Sequence, residues 1–183
     1  MFHVPSFLHP FIGKTVLKKD LFWAFLWLFL GHILSFLIDR NFYFDPIKSM
    51  IFILLLSDVI LGAYFNTTTS VIKYYDHHPE HVSKFPVLHI YPFIMIFLFN
   101  IPFSLALGTY LVTTIVTYRT LTLTRYKSLF GWLAMMIVAF IFGLVEQGHS
   151  LSYILFTLIS VVKLVISFGS NHMMACLVNL KRR

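Results

Sequence analysis

In a chain of 183 residues, 58% of the side chains are hydrophobic and 11% are charged, with a mean hydropathy of +0.83. A soluble domain is roughly one quarter charged, so this composition excludes an ordinary water-soluble core and points to a lipid environment. The formal charge of +7 would suggest nucleic acid in a soluble protein, but Lys and Arg stand at the ends of apolar stretches, as topology signals and contacts to anionic lipid do; nucleic acid is excluded as a partner.

The first twenty residues form a juxtamembrane segment with Pro5 and Pro10. It lacks a basic region followed by an apolar run and a small-residue cleavage site, so no removable signal peptide is expected. A helical span needs about 20 largely apolar residues. Five segments meet or approach that length: residues 21–38, 49–65, 91–118, 129–145 and 151–168. The expected fold is therefore all-α, a polytopic bundle of five transmembrane helices in one membrane domain. The third segment is long for a perpendicular helix and contains Asn100 and Pro102, which predicts one tilted, kinked span. The 66–90 loop is His-rich, and residues 169–183 form a basic tail. Asn66-Thr67-Thr68 fits a glycosylation acceptor but abuts a span, and reads as a helix-ending polar cluster. Gly62, Gly131 and Gly143 read as close helix contacts. The single Cys176 allows no intrachain disulfide.

With five crossings the termini lie on opposite sides. Face one then carries the N-terminal segment, the 66–90 loop and the 146–150 turn; face two carries the 39–48 loop, the 119–127 loop and the tail. Arg40, Lys48, Arg119, Arg125, Lys127, Lys181, Arg182 and Arg183 on face two outnumber Lys14, Lys18, Lys19, Lys73 and Lys84 on face one. The positive-inside rule thus leads to an integral multi-pass protein with its N-terminus outside and its C-terminus cytoplasmic.

Two polar constellations stand out. The same parity puts His3, His9, His77, His78, His81, His89 and His149 on face one with Asp76, Glu80 and Glu146, and His172 on face two. Imidazole with carboxylate suits Zn²⁺ or Fe, and His77, His78, His81, His89 and His149 are the candidate ligands. The motif is a single cluster, without the separated His boxes of membrane di-iron oxidases. A solvated loop whose histidines titrate near neutrality is the simpler reading.

The second constellation comes from depth. At about 1.5 Å per residue through a hydrocarbon core of about 30 Å, His32 lies about 16 Å below face one, Asp58 about 16 Å, Asn100 about 14 Å and Lys163 about 18 Å. Intramembrane ionisable groups pair with one another or face wet cavities, so Asp58 and Lys163 are expected partners, with His32 and Asn100 nearby. Such a cluster serves as inter-helix glue or as a proton or ion site. The sequence favours an ion- or proton-handling, transport-type protein that works as a homo-oligomer or with a partner subunit. The alternatives are a membrane anchor, sensor or assembly subunit recruiting a cytoplasmic protein, and a metalloenzyme using the His-rich face. No nucleophile elbow or phosphate-cradling Gly-rich loop is present, which points away from an enzyme.

Overall fold

The computed structural model describes residues 1–123, 125–145 and 150–172. The chain is mostly helical, and three of its helices are long and apolar enough to cross a membrane: Lys18–Ile38, Pro46–Phe65 and the continuous run Leu151–Gly169. The N-terminal segment is not featureless. Strand β1 (Phe2–His3) pairs antiparallel with β2 (Thr15–Val16), enclosing the short helix α1 (His9–Ile12). Gly13, at φ +84°, closes this loop against Ser70, where a Cβ would overlap the serine.

Helix α2 (Lys18–Ile38) buries only Ala24 and Ser35. Apart from Leu21, which packs on the core, most of its large apolar side chains face outward. Asp39 then caps a 3₁₀ turn (Arg40–Phe44) by accepting from Phe42 N at 3.4 Å. Helix α3 (Pro46–Phe65) starts with a fixed φ from Pro46 and an Asp45 N-cap that accepts from Ile47 N and Lys48 N at 3.2 and 3.1 Å. It ends at Asn66, where Thr67 and Thr68 return their hydroxyls to Tyr64 O and Phe65 O. Helices α4 (Thr69–His77) and α5 (Pro79–Val82) follow in the 66–90 loop.

The segment 91–118 departs from the single kinked span expected. Helix α6 (Tyr91–Phe99) stops at Asn100, which adopts a left-handed conformation (φ 52°), a frequent helix stop. Pro102 then begins α7 (Phe103–Thr122), and the chain reverses. Phe93 packs against both Phe103 and Tyr110, at 5.9 and 5.4 Å between ring centroids, and the Tyr110 hydroxyl donates to Val87 O. The pair is an antiparallel hairpin. Its tip is held by Phe99, stacked on Phe42 at 4.6 Å and edge-on to Phe52 at 5.4 Å. Helices α8 (Lys127–Val145) and α9 (Leu151–Val161) complete the bundle, and α9 runs on into a π-helix over Val162–Gly169.

This reversal reorders the ends of the bundle. Tyr118 donates its hydroxyl to Ser83 O, Lys127 donates to His172 O, and Tyr75 packs on His172 at 4.7 Å. One core cluster joins Val16, Phe65, Tyr75, Phe85, Leu121 and Phe168. The 119–127 segment and His172 therefore sit at the face-one end with the N-terminal segment and the 66–90 loop, not at face two. Conversely, Ser150 donates its hydroxyl to Asp39 and so belongs to face two, not face one. Helices α3, α7 and α9 run the same way; α2, α6 and α8 run against them. The second core cluster, with Phe52, Leu56, Met95, Ala106, Tyr153 and Phe156, fills the face-two half.

This arrangement sets an accessibility pattern. In a Cys176→Ser background, cysteines replacing Lys84 and Arg125 should react with a membrane-impermeant maleimide from one side of sealed vesicles. A cysteine at Arg40 should react only from the other. Labelling of positions 84 and 125 from opposite sides would contradict the hairpin.

Candidate functional site

Asp58 on α3 and Lys163 at the start of the π-helix face each other across the bundle. Lys163 Nζ lies 2.7 Å from Asp58 Oδ2 and also donates to Asp58 O at 3.4 Å. The local chain makes room for this: a Cβ at Gly62, one turn along α3, would overlap the Lys163 side chain. A π-helix widens the turn by taking i→i+5 bonds, and this one begins where the lysine must enter.

Two further side chains complete the centre. The Tyr91 hydroxyl donates to Asp58 Oδ2 and accepts from Lys163 Nζ at 3.1 Å, while the ammonium stands 5.2 Å from the tyrosine ring centroid. The His89 ring packs edge-on to Tyr91 at 5.1 Å. Its Nδ1 is bound to Phe85 O at 2.6 Å and its Nε2 has no protein partner. A carbonyl only accepts, so Nδ1 donates in this contact, and Nε2 is the nitrogen free to accept whenever the ring is neutral. It borders a cavity of about 20 Å³ lined also by Thr109, Thr113 and Ser160, room for about one water molecule.

The two charges are unequally sheltered. Lys163 is 3% exposed and Asp58 is 41% exposed. Asp58 opens onto a cleft of about 410 Å³ whose walls come from Leu8 and α1 (Phe11, Ile12), from α3, and from Phe85 and Lys163. The arrangement is a buried cation, a carboxylate reachable from a cleft, a phenol bridging them, and an imidazole behind. Chemically it can hold, exchange or relay a proton or a small cation.

His32 and Asn100 are not part of this centre. His32 Nε2 contacts Ser57 Oγ at 2.9 Å on the α2 side of α3, and Asn100 forms the hairpin tip. Equal depth does not imply adjacency, since residues one apart on a helix point about 100° apart. His89 is expected from the sequence as a metal ligand at face one and Tyr91 as the first residue of a span; the structure instead brings both to the ion pair, because the 85–91 stretch descends into the bundle. The signal available was the pairing of His89 and Tyr91 with the helix-starting Pro92.

The histidines expected as metal ligands do not gather into one site: His78 and His81 share Glu80, while His77 and His89 turn elsewhere. His77 Nδ1 meets Lys73 O at 2.6 Å; His78 Nδ1 and His81 Nε2 lie 3.3 and 3.8 Å from Glu80 Oε1; His81 Nδ1 also meets the Tyr74 hydroxyl at 3.0 Å. His89 points inward, and His149 and Glu146 lie outside the described residues. Among the described residues no group of three or more His, Cys, Asp or Glu side chains is arranged to hold a metal ion.

Comparison with protein families, curated proteins and solved structures returns no match to this chain. The site must be read from its own geometry.

Two stability tests follow. Breaking a buried ion pair from one side costs about 3–5 kcal/mol. Asp58→Asn strands the enclosed ammonium and should cost that much in unfolding free energy measured in detergent. Lys163→Met leaves a carboxylate open to the cleft and should cost less. The double substitution should recover most of the loss; simple additivity would show that the residues are not coupled.

The second test concerns His172, 1% exposed between Tyr75, Phe168 and Lys127. Burial, and secondarily the Lys127 ammonium, pushes its pKa down from 6.5 to about 3. The unfolded chain therefore binds the extra proton between those values, so the stabilisation is complete above pH 6.5 and is lost as pH falls toward 3, by up to about 1.4 kcal/mol per pH unit. His172→Phe should flatten this acid slope in pH-dependent thermal unfolding.

Proposed function

We propose that the chain is a small multi-pass membrane protein that handles protons or small cations through the Asp58–Lys163 centre, with Tyr91 and His89 as its relay partners. The observation that carries this reading is the asymmetry of the pair: both residues border the cleft, but the lysine is almost wholly buried while the carboxylate is open to it. A pair serving only as glue gains nothing from leaving one member accessible. A working site needs a group that a proton or cation can reach, and a fixed counter-charge that sets its affinity.

In this reading α2, α3, α8 and the α9–π run cross the bilayer, and the α6–α7 hairpin is packed within it. Both described ends of the chain then lie on face one. Recounting basic residues with the 119–127 segment in its place gives Lys14, Lys18, Lys19, Lys73, Lys84, Arg119, Arg125 and Lys127 at face one, against Arg40 and Lys48 at face two. The positive-inside rule then places face one in the cytoplasm, which reverses the expected side of the N-terminus and keeps the C-terminal end cytoplasmic. So few helices offer little room for an enclosed pathway, and transport would therefore involve a second copy or a partner subunit.

The test is proton or cation flux in liposomes of purified protein, read with an entrapped pH dye under a valinomycin-set potassium potential. Flux above protein-free liposomes is expected, with Asp58→Asn abolishing it. The Asp58→Asn/Lys163→Met double variant should be folded and inactive. A folded double variant as active as the original chain, or no flux from any preparation, would instead favour a membrane anchor or assembly subunit held together by the pair.

A further inference from the structure

A second roomy cavity of the described residues stands apart from the ion pair. It lies at the face-one end, about 590 Å³ in volume, where the N-terminal loop, the start of α2 and the start of α4 converge. The loop is fixed there by Gly13 against Ser70 and by Thr15 N donating to Ser70 Oγ at 3.2 Å. This docking brings Lys14 opposite Lys73 of α4, with Lys19 of α2 as a third cation. All three side chains are exposed to the cavity mouth. The single carboxylate in the lining, Asp20, accepts the Tyr64 hydroxyl at 3.3 Å. Three ammonium groups thus face one partly engaged carboxylate.

The backbone adds to this field. Helix α4 has no acidic residue in its first turn and no side-chain cap, because Thr68 turns its hydroxyl back to Phe65 O at 2.8 Å. Its first residues, Thr69 and Ser70, line the cavity, and helix N-termini favour anions.

A second observation identifies the kind of anion. Tyr64 and Thr67 line both this basic cavity and an apolar groove of about 490 Å³ that runs down between α2, α3 and α9 past Trp27, Leu30, Leu34 and Ile159. The two spaces share these walls at the level where α2 begins and α3 ends. A polar, cationic chamber above an apolar groove matches one amphiphile: a phosphate headgroup above, an acyl chain below.

We propose that the chain binds an anionic phospholipid at a defined site, its phosphate held by Lys14, Lys19 and Lys73 and one acyl chain laid in the α2–α3–α9 groove. This site is separate from the Asp58–Lys163 centre and does not depend on ion handling.

The test uses protein in neutral detergent, titrated with dioctanoyl phosphatidic acid, dioctanoyl phosphatidylcholine and inorganic phosphate, with bound stoichiometry read by native mass spectrometry. Phosphatidic acid should saturate near one equivalent, at least about tenfold tighter than either of the others. Charge-assisted hydrogen bonds contribute enough that losing two of them should weaken binding about tenfold or more, so Lys14→Gln/Lys73→Gln should show that loss. Lys14→Arg/Lys73→Arg, which keeps the charges, should retain binding and controls for folding. Arg40→Gln/Lys48→Gln removes the same net charge at the opposite end and should change affinity less than about twofold. Filling the groove by Ala63→Leu should weaken the lipid but leave phosphate unaffected. Phosphatidylcholine binding as tightly as phosphatidic acid, inorganic phosphate matching it, or equal losses in the two Gln pairs would overturn the proposal.

Discussion

An ammonium group enclosed among apolar helices is tolerable only if an anion meets it, and Lys163 is such a group. The several-kcal/mol penalty for an unpaired charge in that setting constrains everything around it. Position 62 of α3 must be glycine-sized, α3 must present Asp58 toward α9, and the 85–91 stretch must dip inward to deliver Tyr91. The π-helix answers the same demand: it opens the backbone at the residue where a long side chain has to pass between packed helices. The aromatic clusters above and below the pair, around Phe168 and around Phe52, hold these elements at fixed spacing.

The helices themselves were legible because apolar length and flanking polar residues mark them. The bounds of α2, α3 and the α9–π run lie within a few residues of the apolar stretches, and Asp45, Pro46 and Ser150 mark starts through ordinary capping chemistry. Asp58 and Lys163 were legible as partners because both stand near the middle of their helices; counting Lys163 from the wrong end of the α9–π run left it there, since a residue near the midplane keeps its depth when its helix is inverted. The angular position of a residue around its helix was not legible from depth, which is why His32 was grouped with a centre it does not touch.

The hairpin was the costly misreading. Asn100 and Pro102 signal an interruption, but a kink and a reversal share that signature; the choice is made by Phe42 and Phe52 gripping Phe99 and by Tyr110 reaching Val87. Those contacts are remote in sequence. Because parity carries forward, one reversal moved the 119–127 segment, Ser150 and His172 to the opposite faces from those assigned. It also concentrated the basic residues at one end, turning a near-balanced count into a lopsided one.

The brevity of α6 bears on how the molecule is made. Nine helical residues cover about 13.5 Å, too little to cross the hydrocarbon layer, and the helix ends with backbone polar groups that lipid cannot satisfy. Shelter for that hairpin comes from Phe42 and Phe52, synthesised before it, but also from Tyr153 and Phe156, synthesised some fifty residues later. In order of synthesis, the packing around the hairpin is therefore complete only once α9 has been made, which makes that helix the element that closes the core around Phe52.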